Sequence, residues 1–101
     1  MSTKIGKYGF HIRDMGNVQE MYDNKVIEEL YGDDYYYNNI FKYKTYIEDQ
    51  IVLDLKSYVG CMAKLFLECN AKKVICVEPS TNHIECLKKI LKKYLQKKLK
   101  F

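Results

Sequence analysis

Two acidic residues end short apolar runs in the second half of the chain. Asp54 follows Ile51–Leu53, and Glu78 follows Val74–Val77. Apolar runs this short and this rich in branched side chains are typical of buried parallel strands. Ligands of open α/β sheets bind at the carboxyl ends of such strands, where an acid about 20 residues after a glycine turn hydrogen-bonds ribose hydroxyls. Gly60 supplies that glycine, so we predict that Asp54, Gly60 and Glu78 contact a bound ligand.

If the two apolar runs are parallel strands whose carboxyl ends lie side by side, a helix must connect them. Residues 61–69 supply a broad apolar surface, and Asn70 follows in the place of a helix C-cap. A strand–helix–strand unit of about 30 residues is a right-handed crossover, which makes the two strands parallel. After Pro79, Asn82 and Glu85 have the spacing of a capping box, and a lysine-rich amphipathic helix follows.

The first half of the chain has weaker signals. We predict a strand over Lys7–Ile12, a helix that Asn17 or Asp23 caps and Gly32 ends, a loop over Asp33–Asn39 and a strand over Phe41–Ile47. The predicted fold class is therefore α/β. Residues 1–50 form a small strand and helix lead-in, and residues 51–101 form the strand–helix–strand–helix part of a Rossmann-like fold.

The strand ends carry a family pattern. The loop after Asp54 reads D-L-K-S-Y-V-G, and the second strand reads V-I-C-V-E-P. This resembles the FkbM-type S-adenosylmethionine-dependent methyltransferases, in which V-L-D-x-G-A-N-x-G is followed by V-x-A-V-E-P. The second motif matches well over residues 74–79. The first departs at Lys56, where the family has Gly, and at Tyr58, where it has Asn.

The resemblance implies S-adenosylmethionine as the cofactor, with Asp54 near its methionyl end and Glu78 on its ribose hydroxyls. Lys56 and Tyr58 weaken that prediction, because they add bulk and because a left-handed lysine costs about 1 kcal/mol or more. In the family, the acceptor site and most of the chemistry come from strands and helices that would follow residue 101. The resemblance therefore implies a truncated or degenerate relative with weak or no activity, and it names no catalytic residue.

Two other functions remain open. The chain is either a non-catalytic module that binds a protein partner or itself, or, less favoured, a basic protein that binds nucleic acid. Its 101 residues carry a net charge of +4, and the lysines of the last helix are typical of a solvated helix face. An uncovered strand edge beside Val74–Val77 predicts self-association or a partner.

The composition indicates the state of the cysteines and the cellular location. Four cysteines without a C-x-x-C spacing predict reduced, packed thiols and no metal site: Cys61, Cys69, Cys76 and Cys86. His83 is predicted to lie on the surface. No run of about 18 apolar residues is present, so the sequence predicts no membrane span and a cytoplasmic location.

Overall fold

The computed structural model describes residues 2–32, 42–95 and 98–101, and a parallel sheet organises the second half. Strands β3 (Ile51–Leu55), β4 (Lys73–Val77) and β5 (Leu99–Lys100) lie in that order, with β4 in the centre. The predicted α/β, partial Rossmann-like fold is confirmed. The short third strand was not predicted. It pairs with β4 at Val74 and Ile75, so the predicted open edge is wrong at these two residues, and β3 and β5 are the outer strands of the described sheet.

Two helices cover one face of the sheet. They are α3 (Cys61–Glu68) and α4 (Thr81–Ile90). Alternate strand residues point toward them, so Val74 and Cys76 are buried in a core with Leu67, Leu87 and Leu91. Asn70 ends the α3 segment in a left-handed conformation with φ of 63°, which agrees with its predicted place as a C-cap.

The lead-in is a hairpin followed by a long helix. Strands β1 (Thr3–Ile5) and β2 (His11–Arg13) pair antiparallel, and α1 (Asn17–Tyr31) packs against β2. A second buried cluster joins this segment to the sheet half, and it contains Phe10, Ile12, Ile27, Val59, Cys61 and Cys86. The hairpin and α1 are therefore held on the same scaffold as the strand ends. The predicted boundary after residue 50 stays a prediction.

Several local predictions in the lead-in are wrong. Lys7–Gly9 is a 3-10 turn, and the strand begins only at His11. Tyr8 and Gly9 both have positive φ, which an extended strand does not allow. The predicted strand at Phe41–Ile47 is a short helix, α2, over Lys44–Ile47. Asp23 lies inside α1 and does not cap it. The predicted loop Asp33–Asn39 falls outside the described residues.

The second face of the sheet is open in the part of the chain that the structure describes. Register places Leu53 beside Ile75 and Leu55 beside Val77, and alternate residues share a face. Ile51, Leu53 and Leu55 are 61%, 59% and 67% exposed. The four cysteines are buried as free thiols. No helix within the described ranges is both long and apolar enough to cross a membrane.

Candidate functional site

A cavity of about 300 Å³ lies where the chain leaves β3 and β4. Its walls come from β2, α1, the loop after β3 and the start of α4. The lining residues are Arg13, Tyr22, Lys56, Tyr58, Glu78, Pro79, Ser80 and His83. Of the three predicted ligand contacts, Glu78 lines this cavity, whereas Asp54 and Gly60 do not.

The Glu78 carboxylate is held in place by backbone amides. One oxygen accepts a hydrogen bond from the Tyr58 amide at 2.8 Å, and the other accepts from the Ser80 amide at 2.9 Å. The His83 Nδ1 atom lies 3.9 Å from the second oxygen. A carboxylate can accept about four hydrogen bonds, so acceptor capacity remains for a ligand hydroxyl. Glu78 joins the loop after β3 to the start of α4.

The loop after β3 adopts the backbone conformation that glycine and asparagine favour. Lys56 and Tyr58 have φ of 57° and 50°, and Gly60 has φ of 97°. The amides of Lys56 and Ser57 both donate to the Val77 carbonyl oxygen, at 2.8 and 3.2 Å, which fixes the turn against β4. The left-handed conformation is therefore kept at the two positions where the sequence departs from the family motif.

Asp54 is buried on the face of the sheet that the helices cover. It lies opposite Cys76, and its side-chain atom Oδ2 has no hydrogen-bond partner among the described residues. Burial raises the pKa of the Asp54 carboxyl, and the nearby charge of Glu78 adds to that effect. The buried Asp54 carboxyl is thus stabilised in its neutral form.

Gly60 packs closely against α4. A Cβ at this position would lie 3.3 Å from Leu87 and 3.4 Å from Ile90 and Leu91, and the positive φ adds strain for any other residue. This contact explains the glycine by packing. A direct role of Gly60 and Asp54 in ligand binding stays a prediction.

On the lead-in side of the cavity, Arg13, Asp23 and His83 form a cluster of hydrogen-bonded side chains. This cluster was not predicted from the sequence. The Arg13 side chain donates to Asp23 through Nε at 3.1 Å and through one Nη at 2.9 Å, and its amide donates to the same carboxylate. His83 Nε2 lies 3.0 Å from Asp23 Oδ1, the same oxygen that accepts from the Arg13 Nη. Burial opposes ionisation of Asp23, but the hydrogen bonds from His83 and Arg13 outweigh it and lower the pKa of the carboxyl.

The prediction that His83 lies on the surface is wrong. The residue is 6% exposed, and the Tyr58 ring packs edge-on against it. The cluster joins α1 to α4, whose contacting residues are 60 positions apart. The available sequence signal was Arg13, the single arginine in a lysine-rich chain. Bidentate binding of a carboxylate favours arginine over lysine.

A larger hollow of about 660 Å³ runs along α1, beside Lys7, Asn24 and Glu28. Lys7 and Glu28 already form an ion pair, and Asn24 accepts from the Lys7 amide. We therefore place the candidate site at the strand ends. No cluster of metal-ligating side chains occurs within residues 2–32, 42–95 and 98–101.

Comparison with known proteins supports the fold, and it does not test the site. No family model and no curated protein matches the chain. Among solved structures, the chain is similar to a "putative RNA methyltransferase" from Pyrococcus horikoshii, with 25% identity and a TM-score of 0.55. The match covers 75% of this chain and 36% of that one. The chain thus resembles the methyltransferase superfamily over about a third of the archaeal protein.

Proposed function

We propose that this chain binds S-adenosylmethionine as the cofactor-binding part of a methyltransferase of the FkbM type. The observation that carries the proposal is the position of Glu78. It directly follows β4 and lines a cavity of about 300 Å³, together with Lys56 and Tyr58 of the loop after β3. An acid at this point of an open α/β sheet is suited to accept hydrogen bonds from ribose hydroxyls. Because the fold is similar to that of a methyltransferase, we expect the bound nucleoside to be S-adenosylmethionine.

These residues can contribute to the reaction by binding the cofactor. Glu78 would accept ribose hydroxyls, while its backbone partners, the amides of Tyr58 and Ser80, hold the carboxylate still. S-adenosylmethionine would supply an activated methyl group when bound. The described residues give no acceptor site, so the acceptor stays unassigned. The archaeal protein's substrate class does not transfer to this chain, because the match covers 36% of that protein.

Calorimetric titration with S-adenosylhomocysteine tests the proposal. We expect saturable binding that Glu78→Gln weakens about tenfold or more, because a charged acceptor is worth more than a neutral one. Glu85→Gln is the matched control, since it removes the same charge from an exposed position on α4. Thermal unfolding of both variants shows whether each is folded. No binding by the folded wild-type chain, or equal losses in the two variants, would contradict the proposal.

The open sheet face favours a second candidate, a non-catalytic module that binds a protein partner. A parallel sheet normally has both faces covered, and here the row Ile51, Leu53 and Leu55 is mostly exposed. The two candidates are separable, because the open face and the cavity use different residues. A nucleic-acid role is the weaker alternative, and a cytoplasmic location stays a prediction.

A further inference from the structure

The cavity beside Glu78 also carries two cationic side chains from different parts of the chain. Arg13 reaches it from β2, and Lys56 reaches it from the loop after β3. The family motif has glycine where this chain has Lys56, so the motif does not account for the second cation. The two cations and Glu78 lie on the wall of one cavity of about 300 Å³.

Arg13 is a pre-oriented donor. Nε and one Nη donate to the two oxygens of Asp23, and the Arg13 side chain is 16% exposed. The remaining Nη has no partner among the described residues. A guanidinium fixed by one carboxylate can still present free N–H groups to a second anion, because it carries five donors in a planar fork.

Lys56 is a second donor that lines the same cavity. Its side chain is exposed, and its ammonium forms no ion pair or hydrogen bond with the part of the chain that the structure describes. The hydrogen bond that its amide donates to the Val77 carbonyl oxygen fixes its backbone. Arg13 and Lys56 together therefore offer an anion both a fixed and an adjustable charge-assisted hydrogen bond.

We infer that the cavity selects nucleosides that carry an anionic group on the 5′ side, with Glu78 on the ribose and with Arg13 and Lys56 on the anion. The inference rests on the proposed function for the nucleoside itself. The anion is a carboxylate if the ligand is S-adenosylmethionine or its product, and a phosphate if the ligand is a nucleotide. Both groups offer oxygen acceptors to the same two cations.

Four probes in two matched pairs test the inference by calorimetry. S-adenosylhomocysteine is compared with 5′-methylthioadenosine, which lacks its amino-acid end, and AMP is compared with adenosine. We expect the member of at least one pair that carries the carboxylate or phosphate to bind about tenfold more tightly, because hydrogen bonds to charged groups are the stronger ones. The preference should fall as salt is raised. The pair that shows it identifies the anion.

Lys56→Met is the decisive variant, since it removes the ammonium and keeps a long side chain at the left-handed position. It should abolish most of the preference and leave binding of the neutral probes within about twofold, because only the charge-assisted contact is lost. Lys92→Met, at an exposed lysine outside the cavity, is the control. Equal affinities within both pairs, or an unchanged preference in Lys56→Met, would overturn the anion site alone. Failure of all four probes to bind would overturn the proposed function as well.

Discussion

Two residues in the loop after β3 adopt a conformation that their side chains disfavour. Lys56 and Tyr58 have positive φ, where glycine is free of the Cβ clash and asparagine is tolerated. We predict that Lys56→Gly raises the free energy of unfolding by about 1 kcal/mol. Urea unfolding measures the change. Lys72→Gly, at an exposed lysine that is not among the positive-φ residues, is the control and should lower stability.

The buried carboxyl groups of Asp54 and Asp23 should respond to pH in opposite ways. The folded-state pKa of Asp54 is raised, so between the ordinary pKa of about 3.9 and the folded value the unfolded chain ionises first. The contribution of Asp54 to stability is therefore greatest below about pH 4 and is lost as the pH rises through the folded pKa. We predict that Asp54→Asn is more stabilising, relative to wild type, at pH 7 than at pH 4. Urea unfolding across this range tests it, and an effect that does not depend on pH would contradict it.

Asp23 gives the opposite prediction. Its folded-state pKa is lowered, so its contribution is present above about pH 4 and is lost as the pH falls through the folded pKa. Asp23→Asn leaves Arg13 and His83 without their carboxylate and should cost about 3 kcal/mol at neutral pH. The same urea series should show the loss shrinking in acid. A loss that persists unchanged below the folded pKa would show that shape, and not charge, is what Asp23 contributes.

At the scale of elements, Ser80 is the N-cap of helix α4. Ser80 Oγ accepts from the His83 amide at 3.3 Å, whereas the predicted capping box of Asn82 and Glu85 is wrong because Asn82 is already inside the helix. We predict that Ser80→Ala lowers the free energy of unfolding by about 1 kcal/mol. Asn82→Ala, measured by the same thermal unfolding, should change it by less than about 0.5 kcal/mol. Equal effects would mean that the cap does not stabilise α4.

The elements that sequence predicts well are those with a long, regular apolar pattern. Strands β3 and β4 and helix α3 were placed to within about two residues, because the apolar runs and Asn70 define their ends. A strand was predicted over Phe41–Ile47 from the alternation in its sequence, but the helix at Lys44–Ile47 is one turn long, which is too short for its period to show. Strand β5 has two residues in a lysine-rich stretch, and it exists only because β4 offers it an edge.

The candidate site likewise contains residues that the sequence predicts and residues that it does not. Glu78 was predictable because its place at a strand end depends on local pattern. The contact of Asp23 with His83 was not, since it joins residues 60 positions apart on two helices whose packing no local pattern specifies. Glu78 and His83 meet through that packing, so the sequence predicted the acid and missed the residues that enclose it.

For the whole molecule, the dominant feature is the open face of the sheet. Ile51, Leu53 and Leu55 form one exposed apolar row, and the outer edge of β3 is unpaired in the described sheet. Exposed apolar strands with free edges favour association with other polypeptides. This arrangement supports the prediction that the chain is marginally stable and either associates with itself or binds a protein partner.

We therefore predict that the purified chain self-associates through this face in a concentration-dependent way. Leu53→Lys should shift it toward monomer, because a charge in the middle of the row opposes its burial. Val18→Lys is the matched control, since Val18 is 77% exposed on α1 and lies off the sheet. Sedimentation velocity over a range of concentrations measures the change. If the wild-type chain is a monomer at every concentration and unfolds well above about 65 °C, the open face is neither a liability nor a docking surface. If both lysine variants dissociate equally, the association is electrostatic and does not use β3.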